Sequence, residues 1–170
     1  MLYFVATPIG NLKDFSFRAI SVLNSVDEIA CEDTRHSLAL LNAYEIKKPL
    51  FSYHKFNERE AGEKIIQKLK EGKNIALITD AGMPAISDPG EDIVALCAKE
   101  GVPVSSIPGP CAAITALSIS GLPTGRFCFE GFLPQKKGRQ TRIAALAEET
   151  RTMIFYESPH RIVKALTQFI

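Results

Sequence analysis

Short apolar runs alternate with amphipathic stretches along the whole chain. The runs are bounded by glycine, proline or charged residues and have the length of buried strands; they cover residues 2–6, 28–31, 50–53, 75–78, 102–107, 126–132 and 152–156. Between them apolar residues recur at helical spacing, as at Ala61, Ile65 and Leu69. Strands that alternate with helices in this way predict an α/β protein with mainly parallel sheets and right-handed crossovers.

Four local patterns predict where helices begin and how they pack. Asn57 and Glu60 form a capping box, and Asp88 stands at the N-cap position before Pro89. Ser158 is placed to cap a final helix that opens at residues 157–161. The helix predicted at 111–117 has almost no polar face, so we expect it to be buried on all sides.

The stretch Ile78-Thr79-Asp80-Ala81-Gly82-Met83-Pro84-Ala85-Ile86-Ser87-Asp88-Pro89-Gly90 is the most informative segment of the chain. At its glycines a ligand can approach the main chain closely, and its prolines restrict the backbone around them. In open α/β sheets ligands bind at the carboxyl ends of the strands, where this loop follows a buried strand. The pattern predicts a loop that holds a ligand. Asp88 is better explained as a helix cap than as a ligand contact, whereas Asp80 has no capping role.

Two further strand ends carry polar residues, and each has two interpretations. The turn at residues 7–12 is either a substrate or phosphate loop or a tight structural turn, since it lacks both the Gly-x-Gly-x-x-Gly and the Walker patterns. The run Glu32-Asp33-Thr34-Arg35-His36 is either the cap of the next helix or part of a polar site.

Composition narrows the class of protein. The chain has 170 residues, 46% of them hydrophobic, and a net charge of +1, so nucleic-acid binding requires a local basic patch. The cations at residues 135–142 are either such a patch for phosphates or a solvated face. The four cysteines form no Cys-x-x-Cys pair and indicate buried thiols in a reducing cytoplasm. The N-terminus resembles a first strand, and no apolar run approaches the ~20 residues that cross a bilayer.

Seven motifs in this order resemble the tetrapyrrole methylase superfamily, and within it the enzymes that methylate the 2′-oxygen of a cytidine ribose in small-subunit ribosomal RNA. The motifs are TPIGNL, CEDTRH, SYH with NER, LITDAGMPAISDPG, IPGPCAAITAL, FEGFLP and FYESPHR. The resemblance implies two α/β domains, which we expect at residues 1–108 and 109–170, in a homodimer. Family members continue past FYESPHR, so we expect the second domain to be incomplete.

The resemblance also implies the cofactor S-adenosyl-L-methionine, bound in a folded conformation between the domains, and no metal. The residues that match the family's cofactor contacts are Asp80, Gly82, Met83, Pro84, Ile86, Cys111, Ala112, Ala113, Tyr156 and Glu157.

The same resemblance places the TPIGN loop, with Thr7, Pro8, Gly10 and Asn11, and the EDTR segment on the RNA side. The local positive charge adds Lys136, Lys137, Arg139 and Arg161 as expected RNA contacts. A ribose hydroxyl is a poor nucleophile, so we expect a base and a cationic stabiliser, and we assign these roles to Asp33 and Arg35. Two alternatives stay open: a methylase of a tetrapyrrole or of a translation factor, and a non-catalytic module that binds cofactor or RNA.

Overall fold

The chain folds into two compact units. The computed structural model describes residues 1–169, and the chain divides into Met1–Cys111 and Ala112–Ile170. This division lies three residues after the boundary expected at residue 108. Each unit is described separately below.

The first unit alternates strands and helices in the order that the sequence predicts. Its elements are β1 (Leu2–Val5), α1 (Phe17–Ser25), β2 (Glu28–Cys31), α2 (Thr34–Ala43), β3 (Leu50–Ser52), α3 (Glu58–Lys70), β4 (Ile75–Ile78), α4 (Glu91–Lys99) and β5 (Val104–Ile107). A 3₁₀ turn, Leu12–Asp14, precedes α1.

The five strands form one parallel sheet in the order β3-β2-β4-β1-β5. The α/β class with a parallel sheet is therefore confirmed. Because β1 lies between β4 and β5, the loops that follow these three strands emerge side by side at one edge of the sheet. Because β2 lies between β3 and β4, the loops after β2 and β4 are also neighbours.

Each face of this sheet has its own apolar core. One cluster joins Phe4 and Leu77 to Ile65 of α3 and Ile93 of α4. The other joins strand residues of the opposite parity to Leu23 of α1 and Leu41 of α2, as buried central strands require. Because apolar side chains fill both faces of the sheet, polar side chains collect in the loops at the carboxyl ends of the strands.

Two predicted helix caps differ from the structure. The helix α4 begins at Glu91 after Gly90, whose φ is 142°, and no side chain caps it, so the capping role of Asp88 is wrong. The loop instead turns back on itself, since the Ala85 N–H donates to the Pro89 carbonyl at 3.2 Å. Asn57 occupies the N-cap position of α3, but its side chain bonds the preceding turn rather than the helix.

The second unit is a two-stranded parallel sheet with three helices. Its elements are α5 (Ala112–Ile119), β6 (Phe127–Phe132), α6 (Arg139–Leu146), β7 (Thr152–Tyr156) and α7 (Ile162–Phe169). The final helix therefore begins after the segment 157–161 that was expected to open it. Ile114 is 49% and Ile119 is 84% exposed, so the prediction of a helix buried on all sides is wrong. Within residues 112–169, two strands do not offer enough surface to cover it.

None of the helices within residues 1–169 is long and apolar enough to cross a membrane.

A contact between the ends of β1 and β5 can be tested by one substitution. A Cβ at Gly109 would lie 2.7 Å from the Ala6 Cβ, which cannot move without its backbone. We expect Gly109→Ala to lower the free energy of unfolding by ~1–3 kcal/mol, the usual cost of overpacking. Chemical denaturation measures this.

The matched control is Gly62→Ala in α3, where the new Cβ would meet Ile93 at an ordinary 3.6 Å. This change should stabilise the protein by about 0.5–1 kcal/mol, because alanine favours a helix over glycine. Equal effects of the two substitutions would contradict the close packing at Gly109.

Candidate functional site

A reciprocal pair of backbone hydrogen bonds joins the loops after β1 and β4. The Thr7 N–H donates to the Gly82 carbonyl at 2.9 Å, and the Gly82 N–H donates to the Thr7 carbonyl at 3.1 Å. The Thr7 hydroxyl is fully buried and donates to the Thr79 carbonyl at 3.0 Å. Thr7 and Pro8 are both buried and hold the loops in place, and their contact with a substrate stays a prediction.

The loop after β5 joins this pair. Gly109 lies against Ala6, and a Cβ at Gly82 would lie 3.4 Å from the Ile9 side chain and 3.9 Å from the Pro110 carbonyl. Gly82 has a φ of 88°, a left-handed conformation that favours glycine. Three loops thus converge on the main chain of Gly82.

The loop between β4 and α4 is held in a strained conformation. Two residues other than glycine, Ala85 and Ser87, have φ values of 68° and 65°. Each such residue costs about 1–3 kcal/mol and persists only where its surroundings enforce it, which is typical of ligand-binding loops. The end of the loop is tightly packed, because a Cβ at Gly90 would lie 2.9 Å from the Phe4 ring and 3.2 Å from the Ala85 Cβ.

The residues expected to hold the cofactor in this loop differ in exposure. Gly82 and Pro84 are buried, Asp80 and Met83 are half-buried, and Ile86 is 43% exposed. The Asp80 Oδ1 atom is buried and accepts no hydrogen bond within residues 1–169. A buried carboxylate oxygen without a partner is costly, so it is available to a donor from a ligand.

In the second unit, two of the expected cofactor residues meet. The Ala113 N–H donates to the Tyr156 hydroxyl at 3.3 Å. The Tyr156 ring packs edge-on against Phe129 and Phe132, with centroid distances of 5.0 and 5.5 Å. The aromatic strand β6 thereby fixes Tyr156 beside the first turn of α5.

A comparison with known protein families shows to which family the chain belongs. A family model described as Tetrapyrrole (Corrin/Porphyrin) Methylases matches residues 1–170. The chain belongs to this methylase family. The resemblance inferred from the loop motifs is therefore confirmed.

Curated relatives of the methylase chain share close to half of its residues or more. The chain is 56% identical to "Ribosomal RNA small subunit methyltransferase I" of Haemophilus influenzae and 53% identical to the protein of that name in Escherichia coli O157:H7, over 98% and 99% of its length. It is 46% identical to the protein of that name in Thermotoga maritima, of which it covers 76%. The chain spans 59% of the length of the first two relatives.

Solved structures of lower identity show the same fold. A diphthine synthase aligns with a TM-score of 0.70 and 16% identity over 98% of this chain and 71% of its own. A cobalt precorrin-4 methyltransferase aligns with a TM-score of 0.71 and 17% identity over 99% of this chain and 73% of its own.

In the methylase chain, Asp33 acts as a helix cap. Its Oδ1 accepts from the Arg35 N–H at 2.8 Å, and its Oδ2 accepts from the Arg35 Nη2 at 3.1 Å. The bond from the Arg35 side chain, followed by that from its backbone N–H, lowers the pKa of Asp33 to about 2. The structure supports the capping interpretation that the sequence left open. A carboxylate held so firmly as an anion is a weak base, and its catalytic role stays a prediction.

The pKa of the neighbouring Glu32 is shifted in the opposite direction from that of Asp33. Burial raises its pKa, and the negative charges of Asp88 and Asp80 raise it further. Burial also raises the pKa of Asp88, an effect that the Thr79 hydroxyl partly opposes. The sequence places Glu32 in a polar run that the family resemblance assigns to the RNA side, and it predicts a helix cap at Asp88. The available signal was strand pairing, because Cys31 pairs with Ile78 and the residues after them share one face.

The basic loop of the second unit does not act as one patch. Arg139 is 8% exposed; its Nε donates to Gln168 at 2.7 Å and its Nη1 to the Pro134 carbonyl at 3.3 Å. Its Nη2 lies 3.5 Å from Glu157, which also accepts from Arg161 at 2.9 Å. Arg139 is therefore held by contacts within the second unit, and its assignment to RNA binding stays a prediction.

Several other expected site residues stay accessible or are already engaged. The side-chain oxygens of Glu157 bind Arg139, Arg161 and the Ser158 N–H, and the last of these contributes most to lowering its pKa. Lys136 and Lys137 are exposed, as are Gly10 and Asn11 in the loop after β1. The accessible cations of the basic loop are thus the candidates for phosphate contacts.

The structural role of Arg139 predicts a large loss of stability on substitution. Arg139→Met leaves Glu157 and Gln168 without their buried partner, and hydrogen bonds to charged groups contribute about 1.5–3 kcal/mol each. We expect a clear fall in melting temperature, measured by circular dichroism. Lys137→Met, two residues away and exposed, is the control and should leave the melting temperature unchanged. A fall of the same size in both variants would contradict the assignment.

Proposed function

We propose that the chain is the cofactor-binding part of an S-adenosyl-L-methionine-dependent methyltransferase that methylates the 2′-oxygen of a cytidine ribose in small-subunit ribosomal RNA. The protein would act as a cytoplasmic homodimer on the small ribosomal subunit. The observation that carries the substrate class is the 46–56% identity to relatives named as small-subunit ribosomal RNA methyltransferases.

The loop after β4 fits the cofactor in two respects. Gly82 brings its main chain into a place where three loops converge, and a side chain there would be strained. Asp80 keeps a buried oxygen without a partner, which suits a ligand with amino or hydroxyl donors. Met83, Pro84 and Ile86 are proposed as further cofactor contacts in this loop. When bound, S-adenosyl-L-methionine supplies an electrophilic methyl group.

The remaining residues would position the acceptor. Alignment of an acceptor oxygen with a methyl group can contribute ~7–11 kcal/mol to lowering a barrier, so holding the RNA in register is a large part of the work. We assign this role to Gly10 and Asn11 in the loop after β1, to the exposed Arg35 and to Lys136, Lys137 and Arg161. Cys111, Ala112, Ala113 and Tyr156 are proposed to complete the cofactor contacts.

A second candidate function is a non-catalytic module that binds cofactor or RNA without turnover. The chain spans 59% of the length of the first relatives, so the activity of the whole protein is proposed and not assigned to it. Calorimetry with S-adenosyl-L-methionine together with methyl transfer to purified small ribosomal subunits separates the two functions, and transfer to a tetrapyrrole instead would overturn the RNA assignment.

The position of the cofactor is tested by Gly82→Val. A valine has a branched side chain that is strained at a φ of 88° and would meet Ile9, so we expect S-adenosyl-L-methionine binding to be lost in a protein that remains folded. Calorimetry measures binding and circular dichroism measures folding. Gly10→Val, where a Cβ meets nothing within 4 Å at another positive φ, is the control for strain alone. Unchanged cofactor affinity in Gly82→Val would contradict the proposed position.

The interaction with RNA is tested by replacing Lys136 and Lys137 together with alanine. If both side chains neutralise phosphates, binding of ribosomal RNA should weaken, and the slope of log K against log salt should fall by about 0.7–0.9 for each phosphate that is no longer neutralised. Filter binding over a range of salt measures this. Cofactor affinity should not change. A slope equal to that of the unmodified protein would show that both lysines are merely solvated.

A further inference from the structure

The end of β2 presents a carboxylate on the same sheet face as a buried hydroxyl. Cys31 pairs with Ile78 of β4 and with Ser52 of β3, and the Tyr53 N–H still donates to the Cys31 carbonyl at 2.8 Å. The residues directly after these strands are Glu32, Thr79 and Tyr53. Since side chains alternate along a strand, we place these three on the opposite face from Cys31, Ile78 and Ser52. Glu32 thus lies beside the start of the loop after β4.

The carboxylate of Glu32 differs from that of its neighbour Asp33 in its contacts. Asp33 is engaged by Arg35 on both oxygens, whereas within residues 1–169 Glu32 makes no hydrogen bond or ion pair. Glu32 is nevertheless half-buried. A partly desolvated carboxylate without a partner is unfavourable for stability, so a structural role does not account for it.

A second and independent observation indicates that this place receives a polar ligand. Thr79 is 3% exposed, and its hydroxyl forms no hydrogen bond of good geometry within residues 1–169. The Thr79 hydroxyl partly opposes the rise that burial causes in the pKa of Asp88, so the two groups are neighbours. A buried hydroxyl left without a good bond costs about 1–3 kcal/mol. The buried Oδ1 of Asp80, one residue along, is in the same condition.

We propose that Glu32 is the proton acceptor for the hydroxyl that receives the methyl group, in a polar site completed by Asp88 and the Thr79 hydroxyl. This inference rests on the proposed function. In the step, a Glu32 oxygen takes the hydroxyl proton while the acceptor oxygen forms a bond to the methyl carbon. The carbon–sulfur bond breaks, its electron pair remains on sulfur, and the sulfonium becomes a neutral thioether. The proton on Glu32 then passes to water.

The electrostatic surroundings suit this role. The charged groups that influence the pKa of Glu32 are the carboxylates of Asp88, Asp80 and Asp33, which raise it, and His54, which lowers it. Burial and the three negative charges together raise the pKa, which brings the group nearer to the working pH of a general base. Glu32 therefore replaces Asp33 as the expected base.

The test is Glu32→Gln, with methyl transfer measured in single turnovers at saturating cofactor. We expect the rate to fall by about 10²–10⁴-fold with cofactor affinity unchanged, and the rise of the rate with pH to disappear. Glu71→Gln, on the exposed end of α3, is the control and should behave as the unmodified protein. A rate equal to that of the control, or a loss of cofactor affinity with the saturated rate intact, would overturn the proposal.

Stability gives a readout that does not depend on activity. When folding raises the pKa of a carboxyl group, the free energy of unfolding of the protein falls as the pH rises from the unfolded pKa through the folded pKa. Glu32→Gln should therefore stabilise the protein at pH 8 and show a smaller gain near pH 4, in denaturant titrations. If the free energies of unfolding of Glu32→Gln and the unmodified protein differ by the same amount at pH 8 and near pH 4, the proposed surroundings of Glu32 are overturned.

The two levels of inference fail differently. An unmodified protein that transfers no methyl group to small ribosomal subunits contradicts the proposed function, and the inference falls with it. An active protein in which Asp33→Asn removes more rate than Glu32→Gln leaves the function intact and overturns only the assignment of the base.

Discussion

The pairing of Thr7 with Gly82 is the constraint on which the site depends. Two backbone hydrogen bonds of 2.9 and 3.1 Å join the loops after the two central strands, and the buried Thr7 hydroxyl adds a third bond to the start of the β4 loop. With one end fixed there and the other folded back at Pro89, the intervening residues have little freedom. The strained backbone at Ala85 and Ser87 is a consequence of this closure.

The sheet order explains why chemistry collects at this edge. Placing β1 between β4 and β5 brings the glycine-rich loops together, while placing β2 beside β4 brings Glu32 towards Thr79 and Asp88. The loop after β4 therefore offers main-chain groups together with Asp80 and Asp88, and the end of β2 offers Glu32. In the proposed function, the first would hold the methyl donor and the second would receive a proton.

Sequence reasoning succeeded where a local pattern has one structural solution. The strand at 75–78 and the strand at 28–31 were predicted to the residue, because runs of apolar residues in a parallel sheet are bounded by turn residues. It failed or stayed incomplete where a local pattern has two solutions. Asp88 has the spacing of a helix cap, but the loop closes on itself first; Arg139 lies in a run of cations, but only the folded chain shows that it faces Glu157. The roles of Thr7 and Thr79 depend on pairings between distant strands, which no local pattern reveals.

The central claim is that the main chain from Asp80 to Ile86 holds the methyl donor. Backbone amide NMR of the chain during titration with S-adenosyl-L-methionine measures this most directly, because each residue reports on its own surroundings. We predict saturable shifts in the amides of Asp80, Gly82, Met83 and Ile86, with Thr7 following through its bonds to Gly82. Saturable binding that leaves these amides unshifted and moves signals elsewhere in the chain would contradict the account.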